Sequence, residues 1–234
     1  MNLLLLSNSS SDAGYLVHAL DWIRPLVPAP AAGPAVFVPF AGVTRTWDAY
    51  EALVAQAMAP LGCELRSLHR AADARAELAR AALVIVGGGN TFNLLHHVRR
   101  LGLLEPLRAR VRDHGLPYLG WSAGANLACP TIRTTNDMPI IDPAGFDALG
   151  LVPWQINAHY TDAHPPGHRG ETRRQRLAEF CQVNPDTPVL GLPEGTGLRI
   201  EGAAASLLGH ADAYLFRGQS APQALPPGRL ELPV

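Results

Sequence analysis

The chain has 234 residues, 47% of them hydrophobic and 17% charged, enough to fill a core without disulfide or metal staples. Its 19 basic and 20 acidic residues leave a net charge of −1, which gives no broad attraction to nucleic acid or to a membrane surface. Cys63, Cys129 and Cys181 are widely spaced and odd in number, which argues against a disulfide framework or a zinc cluster and for a reducing compartment.

Residues 3–6, four leucines with no basic leader before them, read as a buried strand and not as a secretory signal. No later apolar run has the length of a bilayer span, so a soluble, cytoplasmic protein is expected. Residues 15–26 carry helical spacing through Leu16, Ala19, Leu20 and Ile23, and the Pro/Ala-rich residues 28–34 form a loop. Strands follow at 35–38, 63–68 and 83–86, with helices at 47–58 and 72–81 between them. Helices at 90–99 and 104–111 then precede a strand at 117–120. Strands that are apolar throughout, alternating with helices, predict a mostly parallel sheet covered on both faces, a doubly wound α/β domain spanning the whole chain.

Beyond Cys129 the pattern changes. Residues 130–149 are polar and marked by Pro and Gly, yet contain Ile132, Met138, Ile140, Ile141 and Phe146, which favours an ordered functional loop. Helix returns at 172–180 and strand at 188–192. Short strands at 198–200, 205–208 and 213–216 read as antiparallel, and the chain from about 218, above all from Pro226 onward, reads as an irregular tail.

Three features fall at carboxyl ends of strands, where open α/β sheets bind ligands. The first is Gly120-Trp121-Ser122-Ala123-Gly124, a G-x-S-x-G turn that fits a nucleophile elbow or, more plainly, a strand-to-helix turn with serine as a cap. The second is Gly87-Gly88-Gly89-Asn90. Amides of Gly88 or Gly89, with that of Ala123, suit an oxyanion hole beside Ser122, although a tight turn explains the glycines equally well. It lacks the lysine of a P-loop and the spacing of a dinucleotide fingerprint. The third is Pro193-Glu194-Gly195, whose carboxylate is either functional or a solvated turn acid.

A serine nucleophile needs a base. Of nine histidines, His96 and His97 sit in a helical pattern, His18, His69, His114 and His210 near element ends, and His164 and His168 around a Pro-Pro-Gly turn. His159, after the apolar run at 152–156, is the best placed. Asp137 and Glu194 are both candidates to orient it. Ser122–Asp137–His159 follows the α/β-hydrolase order with spacings far too short for that fold. Ser122–His159–Glu194 resembles the order in class I glutamine amidotransferases, with serine in place of cysteine.

The stretches "VPFAGVTRTWDAYEA" (38–52), "VGGGNTFNLL" (86–95), "GWSAGANLACPTIRTTNDMPIIDPAGFDALGL" (120–151), "GETRRQR" (170–176) and "GLPEG" (191–195) together closely resemble the peptidase E family of bacterial α-aspartyl dipeptidases. The resemblance extends from residue 3 to about Glu194. It is weak in the C-terminal tail, and Ala158 stands where the family often has proline. It implies a flavodoxin-like sheet similar to that of the amidotransferases, and a cytoplasmic serine peptidase of Asp-Xaa dipeptides working without metal or cofactor. It further implies Ser122 as nucleophile, His159 as base, Asp137 or Glu194 as third member, and Arg173 as reader of the substrate aspartate. Thr172 and Gln175 form a capping-box pattern that places Arg173, Arg174 and Arg176 in a first helical turn, where cations oppose the helix dipole. Two-pronged recognition of an aspartyl carboxylate would justify that cost at Arg173, while Arg174 and Arg176 read as a solvated face. Two rivals remain: a cyanophycinase-like hydrolase of β-linked aspartyl peptides, and a non-enzymatic binder holding a small anion in the triple-glycine loop.

Overall fold

The computed structural model describes residues 1–29, 32–164, 166–167 and 169–232. Residues 30 and 31 of the expected Pro/Ala loop, and His168, lie outside the described residues. In chain order the strands are β1 (Asn2–Leu6), a small hairpin β2 (Ser10–Ser11) and β3 (Gly14–Tyr15), β4 (Ala35–Val38), β5 (Leu65–Ser67), β6 (Leu83–Val86) and β7 (Tyr118–Trp121). Then come β8 (Gln155–Ala158), β9 (Val189–Leu192), β10 (Gly197–Glu201), β11 (Ala204–Leu208), β12 (Ala213–Phe216), β13 (Gln223–Leu225) and β14 (Gly228–Leu230). The helices are α1 (Leu20–Ile23), α2 (Trp47–Met58), α3 (Ala74–Arg80), α4 (Thr91–Arg100), α5 (Leu104–Arg112), α6 (Ala123–Leu127) and α7 (Arg173–Val183).

The main sheet has eight strands in the order β14-β11-β10-β1-β7-β6-β4-β5. The run from β1 to β5 is parallel, and β10, β11 and β14 extend it antiparallel. Alternation along the strands splits the core into two layers. Leu3, Leu5, Val36, Val38, Val84 and Val86 pack with Leu94, Val98 and Leu107 of α4 and α5. Leu4, Leu6, Phe37, Leu83 and Ile85 pack on the opposite face with Ile23, Val54 and Met58 of α1 and α2. Helices therefore cover both faces, as continuous apolar strands require. Caps set the helix starts: Thr46 accepts from the Ala49 amide, Asp73 from Arg75 and Ala76, and Asn90 from Asn93.

Three expectations need correction. The helix expected over 15–26 is broken: Gly14–Tyr15 is strand, Leu16 has φ +60°, and only Leu20–Ile23 is α-helical, between two 3-10 turns. Pro25 explains the loss at its end, since it has no amide to donate. The tail is not irregular, because Gly228–Leu230 pairs with β11 and Gln223–Leu225 with β12. The strands after residue 150 also do not all join one sheet. β8 and β9 pair in parallel and form, with β12 and β13, a separate four-stranded sheet in the order β13-β12-β9-β8.

The 130–149 segment has little regular structure but is tied down. Arg99 donates to the carbonyls of Ala144 and Asp147, and Arg108 to those of Ala148 and Leu149. Its first residues lace under β8: Thr134 Oγ1 donates to the Ile156 carbonyl, Asn136 Nδ2 to that of Ala158, and Asn157 Nδ2 to that of Thr134. The loop in this way satisfies the amide nitrogens of the buried β8 side chains Gln155 and Asn157, while Gln155 Oε1 and Asn157 Oδ1 have no partner among the described residues.

Candidate active site

Ser122 sits between β7 and α6 with φ +52° and ψ −112°, a conformation costly for any residue bearing a Cβ. Two close approaches force it. The Ser122 amide donates to Leu6 O at 3.0 Å. A Cβ on Gly124 would lie 2.2 Å from the Val86 carbonyl oxygen, so α6 reaches β6 only with glycine there. The hydroxyl is thereby pushed into a cavity of about 560 Å³ at the carboxyl ends of the parallel strands, which Gly88, Gly89, Asp137 and His159 also line.

Gly89 has φ +134°, and its position would bring a Cβ within 2.3 Å of Ala41 O. The Gly88 carbonyl accepts from Tyr50 Oη at 2.9 Å. Since the 88–89 peptide is trans, that bond turns the Gly89 N–H the opposite way. Tyr50 Oη also accepts from Trp121 Nε1 at 3.2 Å, which links the glycine loop to the residue before the serine. Burial raises the Tyr50 pKa well above its ordinary value, so it remains a neutral donor. Among the described residues the Gly88 and Gly89 amides have no acceptor. The Ala123 amide belongs to the first turn of α6, where helical donors have no partner within the helix.

His159 follows β8 and, like Ser122, has positive φ, +54°. Its Nε2 lies 3.0 Å from Ser122 Oγ and its Nδ1 2.7 Å from Glu194 Oε1. With the proton on Nδ1, the ring donates to Glu194 and accepts from the serine hydroxyl. The imidazole and carboxylate side chains are 40% and 65% exposed, so solvent weakens their attraction and the contact works mainly through geometry.

Asp137, the other carboxylate expected as orienter, has no bond to His159. Its Oδ2 accepts from the Thr91 amide at 2.7 Å, from Thr91 Oγ1 at 2.5 Å and from Thr135 Oγ1 at 3.0 Å. The lacing of 130–137 under β8 sends this side chain to the start of α4 instead.

Arg173 opens α7 behind a complete capping box, as the sequence pattern requires. Its guanidinium donates to the His159 carbonyl and lines a second cavity of about 740 Å³, which Asp137 also borders. Burial and the neighbouring Arg176 lower its pKa from the ordinary value. Of the three arginines in this turn, Arg174 pairs with Asp162 and Arg176 with Glu171, while Arg173 has no carboxylate partner among the described residues.

Sequence reasoning missed the residues that join these parts. Ser7, fully buried, accepts from the His159 amide at 2.9 Å and donates to the Leu192 carbonyl at 2.8 Å. Asn8 Oδ1 accepts from the Gly195 amide at 2.7 Å. Leu6, Ser7 and Asn8 thus hold the serine, histidine and glutamate segments in turn. Their position at the carboxyl end of β1 was the available signal. Arg45, also missed, lines the Ser122 cavity above the Tyr50 ring, 5.6 Å from its centroid.

Burial pushes the Cys129 thiol up to about 12, which makes it a poor nucleophile. Among the described residues, Asp48, Glu51 and His69 have ligand atoms within 4.8 Å of one another, but Arg70 occupies both carboxylates. No helix among the described residues is long and apolar enough to cross a membrane.

The family model described as peptidase family S51 matches residues 3–208. The chain is 55% identical to peptidase E of Citrobacter koseri over 219 residues, covering 92% of this chain and 93% of that protein. It is 52% identical to peptidase E of Salmonella typhimurium over 231 residues, covering 97% and 99%. Among solved structures, a putative peptidase E protein from Listeria monocytogenes superposes with a TM-score of 0.67 at 21% identity, covering 90% of this chain and 98% of that one, a likeness of fold.

Proposed function

The chain belongs to peptidase family S51 and is a peptidase, and from that premise we propose that it is a cytoplasmic serine dipeptidase acting on dipeptides with amino-terminal aspartate. The observation that carries this proposal is the unbroken hydrogen-bonded chain from Ser122 through His159 to Glu194, with the serine on a strained elbow. Ser122 Oγ attacks the peptide carbonyl carbon while His159 Nε2 takes the hydroxyl proton. Glu194 keeps the other ring proton on Nδ1 and supports the imidazolium that forms. The carbonyl oxygen, now negative, is received by the Ala123 amide and by that of Gly88 or Gly89. His159 returns its proton to the departing amine, the C–N bond breaks, and an ester to Ser122 remains. Water attacks the ester with His159 again as base, releasing aspartate and restoring the serine.

The unpaired guanidinium of Arg173 supports aspartate as the first residue, because a planar fork matches a carboxylate in a way that a lone ammonium does not. The test is release of free leucine from Asp-Leu and from Leu-Leu by the purified protein. Rapid release from Asp-Leu alone is expected. Equal rates on both, or none on Asp-Leu, would overturn the proposal.

A further inference from the structure

A dipeptide with amino-terminal aspartate presents three groups around one carbon: the scissile carbonyl, the β-carboxylate and the α-ammonium. Ser122 and Arg173 account for the first two. The ammonium needs an anion beside the cavity that holds Ser122, and two carboxylates come into question. Glu194 sits behind the imidazole on its Nδ1 side and does not line that cavity. Asp137 lines it, and borders the Arg173 cavity as well.

The bonding of Asp137 is one-sided. All three of its donors converge on Oδ2, two from Thr91 and one from Thr135. Oδ1 has no partner among the described residues and is not buried, and Asp137 takes part in no ion pair there. The carboxylate is therefore clamped by one oxygen while the other remains free, on a residue that lines the same cavity as Ser122. A clamp of this kind costs little further ordering when a cation arrives.

We propose that Asp137 is the binding site for the substrate's α-ammonium, a conclusion that rests on the dipeptidase reading of the same site. An ammonium held between the two cavities leaves the β-carboxylate directed to Arg173 and the carbonyl to Ser122. Such a site restricts the enzyme to free amino termini, which chemistry at Ser122 alone does not do.

The probe is a pair of substrates, Asp-Leu and succinyl-leucine, which is Asp-Leu with hydrogen in place of the amine. Wild-type protein should cleave Asp-Leu with kcat/KM about 30-fold or more above succinyl-leucine, the scale of a hydrogen bond to a charged group. In Asp137→Asn the amide oxygen still accepts from Thr91 and Thr135, so the clamp is kept while the charge is lost. Its preference for Asp-Leu should fall to within a few-fold. Equal cleavage of both substrates by the wild type overturns the inference and leaves the dipeptidase standing, and needs no variant to fold. A preference fully retained in Asp137→Asn also overturns it, since the amine is then held elsewhere. Cleavage of neither substrate overturns the dipeptidase reading, and this inference with it.

Discussion

The two sheets contribute unlike halves of the site. The eight-stranded sheet carries Ser122 after β7 and the glycine loop after β6, neighbouring strands of one parallel run. The four-stranded sheet carries His159 after β8 and Glu194 after β9, again neighbours. The proposed nucleophile and oxyanion donors are fixed by short-range covalent geometry, an elbow and a glycine turn. The proposed base and orienter are placed against Ser122 by how one sheet meets the other. Residues 6–8 of β1 and the turn after it make that junction, with bonds to both sides. A nucleophile can thus be built locally, whereas a triad needs a seam.

The sharpest way to break the comparison is on the nucleophile side. Ser122→Ala removes one oxygen and should fold normally, with kcat down on the order of a million-fold, as for nucleophile losses in coupled triads. Steady-state rates on Asp-Leu check it, and turnover within about tenfold of wild type, only ~1.4 kcal/mol, would end the serine mechanism. On the other sheet, Glu194→Gln keeps shape but loses the charge facing His159 Nδ1, and should lower kcat by about 10⁴, by analogy with the Asp→Asn change in the serine-protease template. Asp137→Asn should lose far less of kcat, and the opposite ranking would exchange the two carboxylates.

Arg173→Ala leaves the triad side chains intact and should reduce kcat/KM on Asp-Leu by roughly two to three orders of magnitude, the cost of a substrate charge left unpaired, about 2–5 kcal/mol. Labelling of Ser122 by a small fluorophosphonate should survive. If labelling falls equally, Arg173 acts through its bond to the His159 carbonyl and not through substrate. Arg173→Lys should recover only part of the loss, since an ammonium lacks the fork.

The seam itself should give the smallest effect. Ser7→Ala leaves the half-buried His159 amide without an acceptor, costing about 1–3 kcal/mol of stability. The denaturant midpoint should fall accordingly, with kcat down by about tenfold. A stable Ser7→Ala with unchanged kcat would mean the sheets are aligned by packing alone.

The same division explains what was legible in the sequence. β1, β4 and β6 showed as apolar runs, α2 and α4 as helices and α7 by its capping-box pattern, because these features are set by neighbouring residues. Ser122 and its glycines showed for the same reason. β8 did not read as a strand, since Gln155 and Asn157 are polar though 1% and 2% exposed. Their amide nitrogens are met in burial by the loop at 131–136, whose side chains and carbonyls accept from them from over 20 residues away in the chain. The choice between Asp137 and Glu194 was open for a related reason: chain order weighed on it, but only the meeting of the sheets decides which carboxylate reaches the imidazole. Ser7 offered no motif at all, being one hydroxyl at the end of a leucine run.

The backbone at Ser122 has an evolutionary consequence. Its φ of +52° costs any L-residue about 1–3 kcal/mol, and glycine alone is nearly exempt. The folded chain bears that cost continuously, whether or not a peptide is bound. A library selected only for survival of heating should therefore enrich Ser122→Gly, a hardier protein with no hydroxyl to attack with. On the proposed serine mechanism, heat resistance and turnover pull this one position in opposite directions.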